Sequence, residues 1–253
     1  MKKINELEFF NKNVFIRCDF NCPVDKNNEI TDDFRIRSSL KSLNEIINLK
    51  PNKLIIATHF GRPKNKDYNF STKLFITRLK KYLKQDIYFL PNGLDSNEKN
   101  IQKSGIYLME NVRFHDYETN VNLRKKINLS FDIYCNEAFS CSHRNHTSIN
   151  NIPHKEKCYG YCFLKELEHL DIILNPSESD RKLAIIGGGK MDDKIPMLKN
   201  LSKKVDFIFI TGGNVNSFVD NFSLIKEIEG NKAKIILPID GFGALKPEDD
   251  PEY

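Results

Sequence analysis

Lys182-Leu-Ala-Ile-Ile-Gly-Gly-Gly-Lys-Met-Asp-Asp-Lys194 is the stretch that predicts a strand, a tight turn and the start of a helix. Residues 183–186 have strand character, three glycines end the run, and apolar residues recur at helical spacing from Ile195 onward. Glycine N–H groups, a helix N-terminus and the charges of Lys190 and Lys194 favour binding of an anion. The same residues suit an ordinary strand-to-helix turn with lysines for solubility, and this stretch alone does not decide between the two.

Short apolar runs alternate with amphipathic segments along the whole chain. Residues 53–60 are almost continuously apolar at their centre, which is typical of a strand covered on both faces. This alternation predicts parallel, doubly wound (Rossmann-like) α/β sheets. Further strands are predicted over residues 14–20, 87–90, 106–109, 131–136, 183–186, 207–210 and 234–237, and helices over residues 39–49, 74–83, 122–128 and 163–174.

The pattern changes near residue 150 and divides the chain into two predicted domains. Residues 150–157 are polar and include Pro153, so we interpret them as a connector. Residues 1–157 have the content of a complete doubly wound domain. Residues 158–253 form a partial second domain, because their pattern contains about three strands where a sheet usually has five or so.

Length, charge and cysteine content argue against several classes of protein. The 253 residues suffice for one large or two ordinary domains, and 40% of them are hydrophobic, as in soluble globular proteins. The net charge of +5, from 39 Lys and Arg against 34 Asp and Glu, favours a small anionic ligand over nucleic acid. The six cysteines lack the C-x-x-C spacing of zinc and redox sites, so we expect reduced thiols. The absence of a signal-peptide pattern and of a membrane-length apolar run predicts a cytoplasmic protein that does not bind membranes.

Basic and polar side chains follow four of the predicted strands. Because ligands of parallel α/β sheets lie beyond the carboxyl ends of the strands, we expect these side chains to gather in one crevice. Guanidinium groups suit phosphate and carboxylate, so the expected ligand is small and carries a phosphate and a carboxylate. The side chains are, strand by strand, Asp19, Asn21 and Arg35; His59 and Arg62; Glu110, Asn111 and Arg113; and Asn136, Glu137, His143, Arg144 and His146.

Other motif interpretations find less support. The triple glycine is neither a Walker A loop, since Met191 follows Lys190, nor a G-x-G-x-x-G turn. His143 and His146 lack a third ligand at metal-site spacing, so no metal ligand is predicted. Aromatic and basic residues do not alternate as they do on base-stacking surfaces.

Six segments together resemble phosphoglycerate kinase, in the order and at the spacings of that family. The resemblance extends from about Phe15 to about Asp240, and the motifs are jointly very specific. The segments are Arg17-Cys-Asp-Phe-Asn-Cys-Pro-Val24, Thr31-Asp-Asp-Phe-Arg-Ile-Arg37, Thr58-His-Phe-Gly-Arg-Pro-Lys64, Leu108-Met-Glu-Asn-Val-Arg-Phe114, Asp132-Ile-Tyr-Cys-Asn-Glu-Ala-Phe139 followed by His143-Arg-Asn-His-Thr-Ser148, and Gly187-Gly-Gly-Lys-Met-Asp-Asp-Lys194.

The resemblance implies phosphoryl transfer between 1,3-bisphosphoglycerate and ADP, which gives 3-phosphoglycerate and ATP in glycolysis with Mg²⁺. It makes residues 1–157 the 3-phosphoglycerate domain and residues 158–253 the nucleotide domain, which begins with an interdomain helix. The implied catalytic residues are Arg35 and Lys190, and Lys194 is implied to contact the nucleotide phosphates. The implied substrate-binding residues are Asp19, Phe20, Asn21, Arg35, His59, Phe60, Gly61, Arg62, Arg113 and Arg144.

Family members continue past the position of Tyr253, with an acidic residue for the ribose, a later glycine-rich loop with a metal-binding Asp, and a final helix. We therefore expect a C-terminally shortened, divergent member, a monomer that needs a complementing C-terminal fragment for efficient turnover. The alternative is a non-catalytic 3-phosphoglycerate-binding protein, or the front fragment of a split or decayed kinase gene. A more remote alternative is a generic anion- or RNA-binding α/β domain.

Overall fold

The computed structural model describes residues 1–95, 101, 103–120, 122–123, 129–175, 177, 180–188, 194–220, 226, 228 and 231–239. Its contacts divide the chain into two units, Met1–Glu168 and His169–Tyr253. The division falls ten or so residues beyond the boundary expected at 157/158, within the helix that follows the first sheet. The assignment of a substrate domain and a nucleotide domain stays a prediction.

Within its described residues, the first unit contains six parallel strands in the order β3-β4-β2-β1-β5-β6. Short 3₁₀ helices, including Tyr68–Phe70, Val112–Phe114, Asp116–Glu118 and Phe139–Cys141, lie in the connections. The helices and strands are β1 (Asn13–Arg17), α1 (Phe34–Asn48), β2 (Lys53–Ala57), α2 (Ile76–Leu83), β3 (Ile87–Leu90), β4 (Gly105–Met109), β5 (Phe131–Asn136), α3 (Thr147–Asn150), β6 (His154–Tyr159) and α4 (Tyr161–Leu174), of which α4 continues into the second unit.

Apolar side chains on both faces of the central strands hold this sheet between two cores. Along β1, Val14 and Ile16 pack into one core and Phe15 into the other, and β2 divides its side chains in the same way. Side chains alternate between the faces of a strand, so a strand apolar at every position must be covered on both sides. The predicted doubly wound parallel sheet is confirmed.

The interpretation of residues 150–157 as a connector is wrong in part, because β6 begins at His154. This strand pairs in parallel with β5 and forms the edge of the sheet. An edge strand exposes much of its side-chain surface, and both His154 and Lys155 are exposed. Its polar composition therefore concealed it. Lys3, which forms a bridge to Tyr159, partly covers the outer edge.

The second unit contains the parallel sheet β7-β8-β9. Ile186, Ile208 and Ile210 pack on one face of this sheet together with Leu198 and Phe218. On β7, Leu183 and Ile185 are 55% and 64% exposed, and on β9 Ile236 is 39% exposed. The elements of this unit are β7 (Leu183–Ile186), α5 (Ile195–Leu201), β8 (Phe207–Ile210), α6 (Asn214–Val219) and β9 (Lys234–Ile236).

The remaining sequence predictions agree with the structure, with shifts at the ends of elements. Strands β3, β5, β7 and β8 have the predicted bounds, whereas α1 begins five residues earlier than predicted and α6 was not predicted. Most of the helix predicted over residues 122–128 lies outside the described residues. All six cysteines carry free thiols, and five of them are buried. None of the helices in the described ranges is long and apolar enough to cross a membrane.

Candidate anion-binding site

The site begins where the strand order of the first sheet reverses. The connection of β1 runs toward β2, that of β5 runs toward β6, and such a reversal opens a crevice at the carboxyl ends of the two strands. Asp19 follows β1. It accepts a hydrogen bond at 2.6 Å from Oγ of Ser140, a residue that follows β5, and another from Arg35 of α1. Burial would raise the pKa of Asp19, but the hydrogen bond from Ser140 and the charge of Arg35 hold it below the usual value. Asp19 is therefore a carboxylate that fixes the Arg35 guanidinium.

A rigid turn after β2 connects three of the predicted residues. Gly61 N donates to Asn21 Oδ1 at 2.8 Å, and Gly61 O accepts from Arg113. Gly61 has φ +62°, and a Cβ there would lie 2.2 Å from Phe70 Cδ1, so glycine is required both by the backbone and by the ring. Asn111 Nδ2 closes the turn by donating to Phe60 O at 2.7 Å.

Phe20 and Phe60 lie in this turn region, but their side chains belong to the core. Phe20 is fully buried and packs edge-on against Phe75, and Phe60 packs against Phe75 and Phe70. The Phe20 amide donates to Thr58 Oγ1 at 2.9 Å. Their side chains therefore shape the site from beneath.

Three of the four predicted phosphate-binding residues border one cavity, and His59 is not among the residues that line it. This cavity has a volume of about 460 Å³, and Arg62, Arg113 and Arg144 contribute to its wall. Burial lowers the pKa of the Arg113 guanidinium, and the charges of Arg144, Arg17 and Arg62 lower it further. The Arg144 Nε atom is buried and has no hydrogen-bond partner among the described residues. A buried donor without a partner is unfavourable, and an anion in the cavity would satisfy it.

His59 lies among these cations and is 6% exposed. Burial lowers the pKa of its imidazole to about 3, and Arg17, Arg113 and Arg144 act in the same direction, against the opposing effect of Asp19. The ring is therefore neutral at pH 7. A neutral His59 adds hydrogen-bonding capacity without adding positive charge.

Several further residues belong to the site. Lys64, His115 and His146 border the cavity beside the arginines. Arg17, the last residue of β1, is 1% exposed and lies 3.4 Å from His59. His146 was already expected at the carboxyl end of β5, whereas Lys64 was not; its position next to Arg62 within a quoted motif was the available signal. Arg17 begins one of the quoted motifs, but its place inside a predicted strand gave no indication that its side chain belongs to the site.

In the second unit, two glycine turns lie against each other at the carboxyl ends of β7 and β8. A Cβ on Gly212 would lie 3.3 Å from Gly188 N, and a Cβ on Gly188 would lie 3.1 Å from Lys194 Nζ. Asn214, fully buried, has neither side-chain atom paired with a described residue. The predicted catalytic Lys190 lies outside the described residues.

Among the described residues, no group of three or more His, Cys, Asp or Glu side chains is arranged to hold a metal ion.

The parallel sheets, the crevice and the cavity bordered by arginines define an α/β protein whose cluster of cations is suited to an anionic small molecule. The family model described as phosphoglycerate kinase matches residues 4–224. The chain belongs to the phosphoglycerate kinase family, a family of phosphotransferases.

Individual relatives agree with this assignment. The phosphoglycerate kinase of Anaeromyxobacter sp. (strain Fw109-5) is 32% identical across 100% of this chain and 70% of its own length. That of Aliarcobacter butzleri (strain RM4018) is 35% identical across 95% of this chain and 67% of its own length. The structure of phosphoglycerate kinase from Coxiella burnetii superimposes with a TM-score of 0.79 and 27% identity, over 99% of this chain and 69% of that chain. The chain thus spans about two thirds of these relatives, and the comparisons favour a phosphoglycerate kinase over the non-catalytic alternative.

Proposed function

We propose that the crevice of the first unit binds 1,3-bisphosphoglycerate when ADP is phosphorylated, and 3-phosphoglycerate when the reaction runs in the opposite direction. In this proposal Asp19, Asn21 and Arg35 hold the glycerate end. The distal phosphate is bound by His59, Arg62, Arg113 and Arg144, while Phe20, Phe60 and Gly61 shape the turn beneath it.

The observation that carries this proposal is the unpaired, buried Nε of Arg144 at a cavity that Arg62 and Arg113 also border. Three guanidinium groups that converge without an anion repel one another, and the pKa of Arg113 is lowered by burial first and by the charges of Arg144, Arg17 and Arg62 in addition. A phosphate would pair with them through charge-assisted hydrogen bonds. If the three arginines were instead engaged in ordinary surface ion pairs, their guanidinium groups would be separate from one another and exposed.

The mechanism follows from positioning and charge. Asp19 holds the Arg35 guanidinium at the crevice, and this proposal places the acyl phosphate of 1,3-bisphosphoglycerate there. Phosphoryl transfer involves little covalent chemistry by the protein, so a fixed guanidinium that neutralises the moving charge is an effective catalyst. ADP or ATP accepts or supplies the phosphoryl group, and Lys190 is the second proposed catalytic cation.

The second unit is the proposed nucleotide side. Lys194 Nζ lies near Gly188, where two glycine turns leave backbone exposed at the end of β7. Backbone amides and a lysine in this arrangement suit nucleotide phosphates. The buried, unpaired amide of Asn214 also supports the approach of a polar group to this end of the sheet.

The apolar face of the second sheet supports a further part of the proposal, that additional polypeptide of the family's C-terminal sequence binds there. Parallel sheets are normally covered on both faces, yet Leu183 and Ile185 are more than half exposed. In this proposal the 253-residue chain is a cytoplasmic monomer, and it needs the added C-terminal segment for full turnover.

Calorimetric titration of the 253-residue chain with 3-phosphoglycerate tests the substrate proposal. We expect saturable heat, and no such heat with glycerate, which lacks the phosphate. A coupled ATP assay, run with and without a C-terminal polypeptide from a relative, tests complementation, and robust turnover by the chain alone would contradict it. Absence of heat with 3-phosphoglycerate would contradict the substrate proposal itself.

A further inference from the structure

Arg17 is held in place by three groups inside the first unit. Its Nε donates to Ser148 Oγ at 2.9 Å, one terminal nitrogen donates to Cys18 O, and the other lies 3.4 Å from His59 Nδ1. The side chain is almost fully buried at the end of β1. A buried guanidinium with its nitrogens thus engaged has one orientation.

The direction of each hydrogen bond follows from the donors. Arginine has no acceptor, so Ser148 Oγ must accept from Arg17 and give its own proton elsewhere. Its neighbour is Glu118 Oε1 at 2.6 Å, while Glu118 Oε2 accepts from Ser148 N at 3.0 Å. Glu118 is 1% exposed, and the same Oε1 lies 3.4 Å from Nδ1 of His146, a cavity residue. Glu118 and Ser148 therefore fix Arg17 at its Nε, while a terminal nitrogen of the same guanidinium faces His59.

The same rule applies at the histidine. Because Arg17 only donates, a hydrogen bond to His59 Nδ1 requires that this nitrogen be unprotonated. The other neighbours of Nδ1 are more distant, with Cys141 Sγ at 3.8 Å and Asp19 Oδ1 at 3.9 Å.

We propose that Glu118 and Ser148 are positioning residues that hold Arg17 so that His59 is the neutral tautomer with its proton on Nε2. His59 then offers a phosphate an N–H donor and no lone pair at that nitrogen. The opposite tautomer would present a lone pair that repels a phosphate oxygen. The part of this inference that concerns phosphate rests on the proposed function; the tautomer does not.

Nitrogen NMR of the ligand-free full chain, with ¹⁵N-labelled histidine, measures the tautomer directly. We expect the His59 signals at pH 7 to show an unprotonated Nδ1 and a protonated Nε2. A proton on Nδ1, or an imidazolium, would overturn the proposal without any variant.

Variants test the positioning. Ser148→Ala removes the acceptor of Arg17 Nε, and Glu118→Gln weakens the support of Ser148, so both should give a mixture of His59 tautomers. Ser71→Ala is a matched control, because Ser71 Oγ donates to the buried Glu110 at 2.7 Å and, among the described residues, Ser71 makes no hydrogen bond to Arg17. Folded Ser148→Ala and Glu118→Gln variants that keep the wild-type tautomer would contradict the roles of Ser148 and Glu118. Should neither fold, Arg17→Lys, which removes the planar guanidinium, provides the same test.

Affinity separates this inference from the proposed function. Ser148→Ala should weaken binding of 3-phosphoglycerate about tenfold, while Ser71→Ala leaves it within about twofold. An unchanged affinity together with a changed tautomer would contradict the role in phosphate binding. If the wild-type chain itself gives no heat with 3-phosphoglycerate, the proposed function fails, and the His59 spectrum still decides the tautomer.

Discussion

Arg35 pairs with Asp19 across the crevice, whereas Arg37, two residues further along α1, pairs with Asp33, the residue immediately before that helix. The two arginines are similarly exposed, at 49% and 51%. The first turn of the helix thus carries one cation directed to the proposed site and one cation engaged elsewhere. Substituting each in turn gives a matched comparison of their effects on ligand binding.

We expect Arg35→Ala to weaken 3-phosphoglycerate binding by about tenfold or more, because a charge-assisted contact is lost. Arg37→Ala should leave the dissociation constant within about twofold. Calorimetry on both variants measures the difference. Equal affinities for the two variants would exclude Arg35 from the site.

Glu137 predicts a pH-dependent stability. Burial raises its pKa to about 7, although hydrogen bonds from Ser42 and Cys162 oppose the rise. Because the folded state retains the proton that the unfolded chain releases near pH 4.5, the stabilisation is complete below that pH and is lost as the pH rises through 7. Glu137→Gln cannot titrate and should be more stable than the wild type at pH 8, by up to about 3 kcal/mol.

Urea unfolding of both proteins at pH 5 and pH 8 tests this difference. The free energy of unfolding of Glu137→Gln, relative to that of the wild type, should increase as the pH rises. A gap that is independent of pH would show that Glu137 ionises normally in the folded state.

Gly61→Ala should destabilise the protein by about 1–3 kcal/mol and weaken ligand binding, since the new Cβ collides with Phe70 and the backbone has φ +62°. Gly105→Ala is the control: its φ is +150°, but a Cβ would meet only the outer ring atoms of Tyr88, at 3.1 Å, at the opposite end of β4 from the site. Both variants should lose stability in thermal melts, and only Gly61→Ala should lose affinity. Loss of affinity in both would mean that general destabilisation causes it.

Neighbouring residues of β7 test the apolar face of the second sheet. Ile185 is 64% exposed and Ile186 only 8%. In the chain alone, Ile185→Ser should change the free energy of unfolding of the second unit by no more than about 0.5 kcal/mol, while Ile186→Ser should cost about 2–5 kcal/mol. Ile185→Ser should in turn weaken binding of an added C-terminal polypeptide. Complementation unaffected by Ile185→Ser would show that this face is not the binding surface.

The strands whose side chains are apolar, and the residues at their carboxyl ends, could be predicted from the sequence. Strands such as β5 are defined by burial, which composition reports directly. The edge strand β6 was not predicted, because its His, Lys and Glu residues are solvated and only Cys158 is buried. Composition does not report that edge position, which depends on the pairing of distant segments.

Within the site, the charged residues could be predicted but their supports could not. Arg113 and Arg144 follow strands and belong to recognisable motifs. Ser140 and Glu118 act through hydrogen bonds to residues 121 and 30 positions away, which no local pattern encodes. The role of Lys190 stays a prediction, because it lies outside the described residues.

The most direct test of the account is calorimetric titration of 3-phosphoglycerate into the wild-type chain and into Arg144→Ala, with Arg37→Ala as the control, at low and high salt. We predict one saturable site in the wild type and in Arg37→Ala, weaker at high salt because the contacts are ionic, and at least a tenfold loss in Arg144→Ala. Absence of binding by the wild type, or equal binding by Arg144→Ala, would contradict the claim that the cavity bordered by Arg62, Arg113 and Arg144 is the phosphate site.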